Sequence, residues 1–302
     1  MVGHESAADG PGQFGGATEA ACRAFQQARG LRIDGICGQQ TWAALVEAGY
    51  RLGDRLLYRR FPPLRGDDVA DLQRRLSTLG FDTGRVDGIL GERTEHALAD
   101  FQRNAGLTVD GICGPTTLDT LDRLGRRAPP QPVAPVREQA DLRHGPRTLQ
   151  DRRVVVAEGG GLDALARELE RALVATGALV TVLHHPDGST QAAAANAAAA
   201  DVFIGVAVDP DAEGCSTAYY AGHGGASTGG RRLAELLQAA VPDALDVKDG
   251  GTRGMAVPAL RETRMPAVLC ELGPPSAVVE RAAELAAAVT AALARWAAAP
   301  CD

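Results

Sequence analysis

At 302 residues the chain is long enough for two or three domains, and its 45% hydrophobic content is that of a globular protein. A net charge of −7, with arginines scattered among acids, excludes the electrostatic footprint of a nucleic-acid binder. Aromatic residues make up only 4%, so the cores must rest on Ala, Val and Leu packing closely.

The N-terminal stretch MVGHESAADGPGQFGG has no basic segment followed by an apolar run. No secretory signal is read there, so a cytoplasmic location is expected, or a secreted one if the true start lies upstream. The Ala-rich run from Gln191 to Ala200 is interrupted by Asn196 and is too short to span a bilayer. The six cysteines form no CxxC pair; Cys37 and Cys113 stand at the same place in a repeat, which suggests small buried apolar roles rather than pairing.

Self-similarity is the strongest internal signal. Residues 25–45 (FQQARGLRIDGICGQQTWAAL) and 101–121 (FQRNAGLTVDGICGPTTLDTL) match without gaps at 11 of 21 positions. Phe25 and Phe101 lie late in an amphipathic helix that Gly30 and Gly106 would stop in a left-handed cap. Asp34-Gly35 and Asp110-Gly111 then supply turns, and Thr41 or Thr117 stands near the start of the next helix. A fuller copy spans residues 67–125. Val69, Leu72, Leu76 and Leu79 recur at helical spacing before Gly80, and VDGILGERT (86–94) leads into a helix with Ala97, Leu98 and Phe101 on one face. The expected layout is a partial repeat over 1–50 and a three-helix module over 60–125. A Pro-rich, semi-extended linker follows over 126–150, then a second domain over 151–302.

The repeats resemble the bacterial peptidoglycan-binding domain of the PG_binding_1 type, whose helices are joined by DGxxGxxT turns. That resemblance implies binding to wall glycan or peptide.

After the linker, short β-branched runs alternate with Ala/Leu helices. Strands are expected at 154–157, 180–183, 201–208, 216–220 and 267–271, and helices at 162–176 and 231–240. A last helix, capped by Ser276, aligns Ala282, Leu285, Val289, Leu293 and Trp296. This alternation predicts an α/β domain with a largely parallel sheet covered by helices, behind small all-α modules.

Residues 152–299 resemble the N-acetylmuramoyl-L-alanine amidase family of the Amidase_3 type. The resemblance rests on VVVAEGGG, LARELERALVATGALVTVL, AAAANAAAADVFIGVAVD, STAYYAG with RRLAELLQAAV, and ALRETRMPAVLCELG, in that order. It implies a zinc ion held by His, Glu and His, and a second Glu acting on the bound water, because zinc lowers the water pKa and polarises the amide. Here the family's DPGHGG turn reads AEGGG, which puts Gly160 in the first His slot. The segment that would carry the Glu ligand is deleted before Leu162, and Ala207 stands at the second His position. Only Glu271, in LCELG, keeps the catalytic Glu position, as a vestige without a metal-bound water to activate. No metal and no cofactor are therefore expected.

The remaining histidines form no ligand pair in sequence. GHGG at 222–225, with His223, copies the zinc turn but follows the wrong strand. His184 and His185 end the second expected strand and point to opposite faces. A new site drawing one of them together with His223, Cys215 and Asp209 would need several relocations. His4 and His144 fall in tails or linkers, and His96 on an exposed repeat helix.

The arrangement is similar to that of the CwlM-like group of degenerate actinobacterial amidases. It implies a non-catalytic, cytoplasmic regulator of peptidoglycan synthesis that binds peptidoglycan, its precursors or fragments, or a cytoplasmic wall-synthesis enzyme. The alternative is a working amidase that hydrolyses the bond between muramic acid and the stem peptide.

Overall fold

The computed structural model describes residues 9–10, 12–125, 133–222 and 225–301. His4, His223 and residues 126–132 of the expected linker lie outside the described residues. The chain divides into two units, residues 1–137 with 222–225, and residues 138–221 with 226–302.

The first unit is helical: α1 (Gly16–Ala28), α2 (Gln39–Ala48), α3 (Asp67–Thr78), α4 (Glu92–Asn104) and α5 (Pro115–Gly125). The spacing of Val69, Leu72 and Leu76 on α3 and of Leu98 and Phe101 on α4 places them in one core with Leu57, Leu64, Leu90 and Leu121. Each Asp-Gly turn needs a left-handed glycine, and Gly35, Gly88 and Gly111 sit at φ 77, 72 and 69.

A buried glutamine fastens each of these turns. The Gln73 amide donates to Asp87 Oδ1 (2.9 Å), the Ile89 carbonyl (3.0 Å) and Thr94 Oγ1 (3.1 Å). Its oxygen accepts from the Asp87 and Gly88 N–H groups at 3.1 and 2.8 Å. Gln102 does the same for Asp110, Ile112 and Thr117, and Gln26 for Asp34, Ile36 and Thr41. All three glutamines are 1% exposed, so the loop's polar groups are satisfied from inside the module. The repeat is thus a helix–turn–helix unit locked by one side chain, and α4 serves two turns at once.

The copies differ in what covers them. Leu57 pairs with Cys113 and Arg65 with Ile89 in short antiparallel bridges, and Cys113 lies in the core beside Leu57, 4% exposed. At the equivalent first turn Cys37 is exposed, as are Ile36, Trp42 and Val46. The expected burial of both cysteines therefore holds for Cys113 and fails for Cys37.

The expected semi-extended linker is helical over α6 (Val133–His144). Its one internal proline, Pro135, falls in the first turn, where a missing N–H costs nothing, and good helix formers follow. Leu142 is buried, and Glu138 accepts from the Gly229 N–H (3.3 Å) and the Ser227 hydroxyl.

The second unit runs β1 (Arg153–Glu158), α7 (Asp163–Val174), β2 (Leu179–His184), α8 (Gly188–Ala197), β3 (Val202–Val208), β4 (Gly214–Gly222), β5 (Gly225–Ala226), α9 (Thr228–Gln238), α10 (Val241–Leu245), β6 (Lys248–Met255), α11 (Pro258–Arg261), β7 (Ala267–Leu272), α12 (Pro275–Glu280) and α13 (Ala282–Ala298). The strand order is β2-β1-β3-β7-β4-β5, with β6 on β4. The β2, β1, β3 and β7 pairs are parallel, whereas β4 runs antiparallel to β7. β1 is buried on both faces, as a central parallel strand should be. Val154 and Val156 join a core with Leu169, Leu293 and Trp296, and Val155 and Ala157 one with Phe203, Tyr220 and Leu260.

β6 was not expected. Its sequence KDGGTRGM is polar and glycine-rich because it lies beside β4 with much of its surface exposed. The last helix is also split: Ser276 lies inside α12, after Pro274, and α13 begins anew beyond Arg281. No helix among the described residues is long and apolar enough to cross a membrane.

Candidate functional site

In open α/β sheets the ends of parallel strands bring loops together in a crevice. Here β1, β3 and β7 end side by side, with Ala157 level with Gly205 and Ala207 level with Glu271. The sequence positions singled out above therefore converge, but their chemistry does not. Gly160 has no side chain, and its φ of 116 lies where a residue with a Cβ is strained. Ala207 offers a methyl group. Gly161 leads almost directly into α7 at Asp163, which leaves no segment for a further ligand.

Glu271 is directed elsewhere. Its carboxylate is 12% exposed and forms an ion pair with Arg253 of β6, while Ser216 Oγ stands 3.5 Å from Oε2. Ser216 lies opposite Glu271 in the antiparallel β4–β7 pair, and Arg253 reaches across from the next strand. A guanidinium is a permanent cation with donors only and no site to coordinate a water, so it neutralises Glu271 without supplying an activated water. These residues do not fit a zinc ion held as the amidase fold implies, and no hydrolytic step is derived through one.

One strand over, at the ends of β1 and β2, is a different constellation. Glu158 is level with His184 in the parallel register, and its side chain is 2% exposed. Glu158 Oε2 accepts from the Gly160 N–H (2.6 Å) and the Leu162 N–H (3.2 Å). Oε1 meets His184 Nδ1 at 2.5 Å, and Asp163 Oδ1 lies 3.6 Å from the same nitrogen. Burial alone would raise the Glu158 carboxyl, but the hydrogen bonds from His184, Gly160 and Leu162 outweigh it and hold it below the ordinary value. Among the described residues this is the group of three His, Cys, Asp or Glu side chains whose donor atoms all lie within 4.8 Å of one another.

Sequence reasoning weighed His184 but paired it with His223, Cys215 and Asp209. Cys215 is buried in the sheet core, with its thiol pushed up to about 12 by burial. Asp209 Oδ1 accepts from the Asp211 N–H in its own turn. His185 Nδ1 accepts from the Asp187 N–H, and His144 Nδ1 contacts the Ala140 carbonyl. His96 is exposed on α4. The missed partners are Glu158, Asp163 and Arg253. A carboxylate ending a buried strand before three glycines was the available signal for Glu158.

Comparison with known proteins places these features. Residues 2–45 and 65–121 match the putative peptidoglycan binding domain, and residues 156–292 match the N-acetylmuramoyl-L-alanine amidase family. The chain is 39% identical over 291 residues to the N-acetylmuramoyl-L-alanine amidase CwlM of Mycobacterium tuberculosis, covering 86% of this chain and 71% of that protein. The spore cortex-lytic enzyme of Oceanobacillus iheyensis is 48% identical over 56 residues, 18% of this chain and 20% of the enzyme. Among solved structures, the amidase Ami1 of Mycobacterium smegmatis aligns with 50% of this chain and 98% of its own at 15% identity and a TM-score of 0.43.

Proposed function

The chain belongs to the N-acetylmuramoyl-L-alanine amidase family, with peptidoglycan-binding repeats ahead of its amidase domain, and from that premise we propose that it is a non-catalytic regulator of peptidoglycan synthesis. In this reading the repeats or the amidase-like crevice bind peptidoglycan, a precursor or a fragment, and the output is contact with a wall-synthesis enzyme in the cytoplasm.

The observation that carries the proposal is the state of the family's zinc positions. Gly160 and Ala207 supply no donor, the third ligand's segment is absent, and Glu271 is held by Arg253. Three protein ligands and an open position are the minimum for hydrolytic zinc, and none of the three is in place.

The test is cleavage of purified muropeptides by the full chain, with and without added Zn²⁺. No stem peptide is expected to be released under either condition. Stoichiometric, time-dependent release of stem peptide overturns the proposal in favour of a working amidase. Sedimentation with insoluble peptidoglycan tests the binding half, and a chain that stays wholly in the supernatant argues against it.

A further inference from the structure

We propose that Glu158, Asp163 and His184 form a divalent transition-metal site, displaced by one strand from the positions the amidase family uses. The three side chains come from three elements, the end of β1, the first turn of α7 and the end of β2. Parallel register alone brings Glu158 and His184 level, and the short GGG turn returns Asp163 to the same place.

The geometry is that of a ligand set drawn together by a proton. Metal–ligand distances of about 2.0–2.2 Å put neighbouring tetrahedral donors roughly 3.3–3.6 Å apart. The His184–Asp163 separation of 3.6 Å already matches this, and the His184–Glu158 contact of 2.5 Å has only to open by about 1 Å. The moving parts are free to do so, because His184 is 49% and Asp163 65% exposed. Glu158 is the anchor: two backbone N–H groups fix Oε2, which leaves Oε1 turned toward the histidine. An oriented, buried carboxylate of this kind is what holds a metal-binding histidine in place or joins it as a ligand.

Donor chemistry narrows the ion. One imidazole nitrogen and two carboxylate oxygens suit Zn²⁺, Co²⁺ or Mn²⁺, whereas Ca²⁺ asks for six to eight oxygens. Two carboxylates also offset the positive end of the α7 dipole beside them. The turn beside the cluster is open, since a Cβ built on Gly160 or Gly161 meets nothing within 4 Å.

The test uses the full chain stripped with a chelator and titrated with Co²⁺, read by its visible absorption, then with Zn²⁺ in competition. Wild type and the control His185→Ala are expected to bind one equivalent each. Asp163→Asn and His184→Ala, both at exposed positions, are expected to bind at least roughly tenfold more weakly, with loss of the tetrahedral spectrum. Failure of the wild type to bind stoichiometrically, or equal binding by both variants and wild type, overturns the site. This outcome is separable from the functional proposal. Stem-peptide release would overturn that proposal whether or not metal binds here, and absence of metal binding would leave it standing.

Discussion

The glutamine fasteners make the sharpest prediction about the repeats. Gln73→Leu keeps the volume and removes five hydrogen bonds, so little of the cost comes from a cavity. What remains is unsatisfied polarity. The Gly88 N–H and Thr94 Oγ1 lose their Gln73 partner, both through buried bonds, while the Ile89 carbonyl keeps the Gly91 N–H. At about 1–3 kcal/mol for each buried group left unpaired, and allowing water to reach the outer ones, the loss is about 4 kcal/mol. A domain of this size holds on the order of 3–9 kcal/mol in all, so the variant should sit at the edge of unfolding. Hydrogen exchange read by mass spectrometry suits a chain of two units, because global melting would mix them. Peptides covering residues 67–125 should lose about three decades of protection, while peptides from residues 152–299 serve as the internal control. Gln73→Glu adds a second test. It sets a carboxylate against Asp87 Oδ1 and the Ile89 carbonyl, so it should be destabilising at neutral pH and partly recover in acid, where a protonated Glu can donate. A loss of under one decade in Gln73→Leu would refute the role assigned to the glutamine.

Three further outcomes are expected. Asp34 and Asp110 are held below the ordinary carboxyl range, by the Ile36 and Ile112 N–H groups first and by Gln26 and Gln102 as well. Their folded values are depressed, so this contribution to stability is present above the ordinary Asp value and is lost as pH falls through the folded one; Asp110→Asn should flatten that part of the acid-unfolding curve. Thiol titration under native conditions should label Cys37, which is exposed, and spare Cys113, Cys215 and Cys270 until denaturant is added; burial pushes Cys113 and Cys215 up to about 12 and Cys270 higher still. Gly160→His combined with Ala207→His should restore no muropeptide cleavage and should cost roughly 1–3 kcal/mol through the φ of Gly160, measured by urea unfolding of the α/β unit. Release of stem peptide by that variant would show that Arg253 does not occlude Glu271.

The sequence by itself determined the elements and the losses. Period-3.6 stripes around Leu72 and Phe101, and the buried runs at Val154–Val156 and Val202–Ile204, are local patterns that solvent exclusion converts directly into helices and strands. The missing donors at Gly160 and Ala207 are equally local, because each is fixed by its place in a motif. The recurrence of Gln26, Gln73 and Gln102 at one repeat position was a signal the sequence reading did not use, and the fastening role depends on a turn that folds back onto the side chain. α6 was hidden by the prolines that precede it and by weak apolar periodicity, and β6 by the glycines and charges that an exposed edge allows. Only the tertiary structure decided which side chains meet. Glu158 and His184 lie 26 residues apart and are brought level by strand register, while Arg253 and Glu271 lie 18 apart and meet only because the long Arg253 side chain reaches across β4. Register is set by the sheet as a whole, through the burial of both its faces, and is not encoded at any single one of these positions.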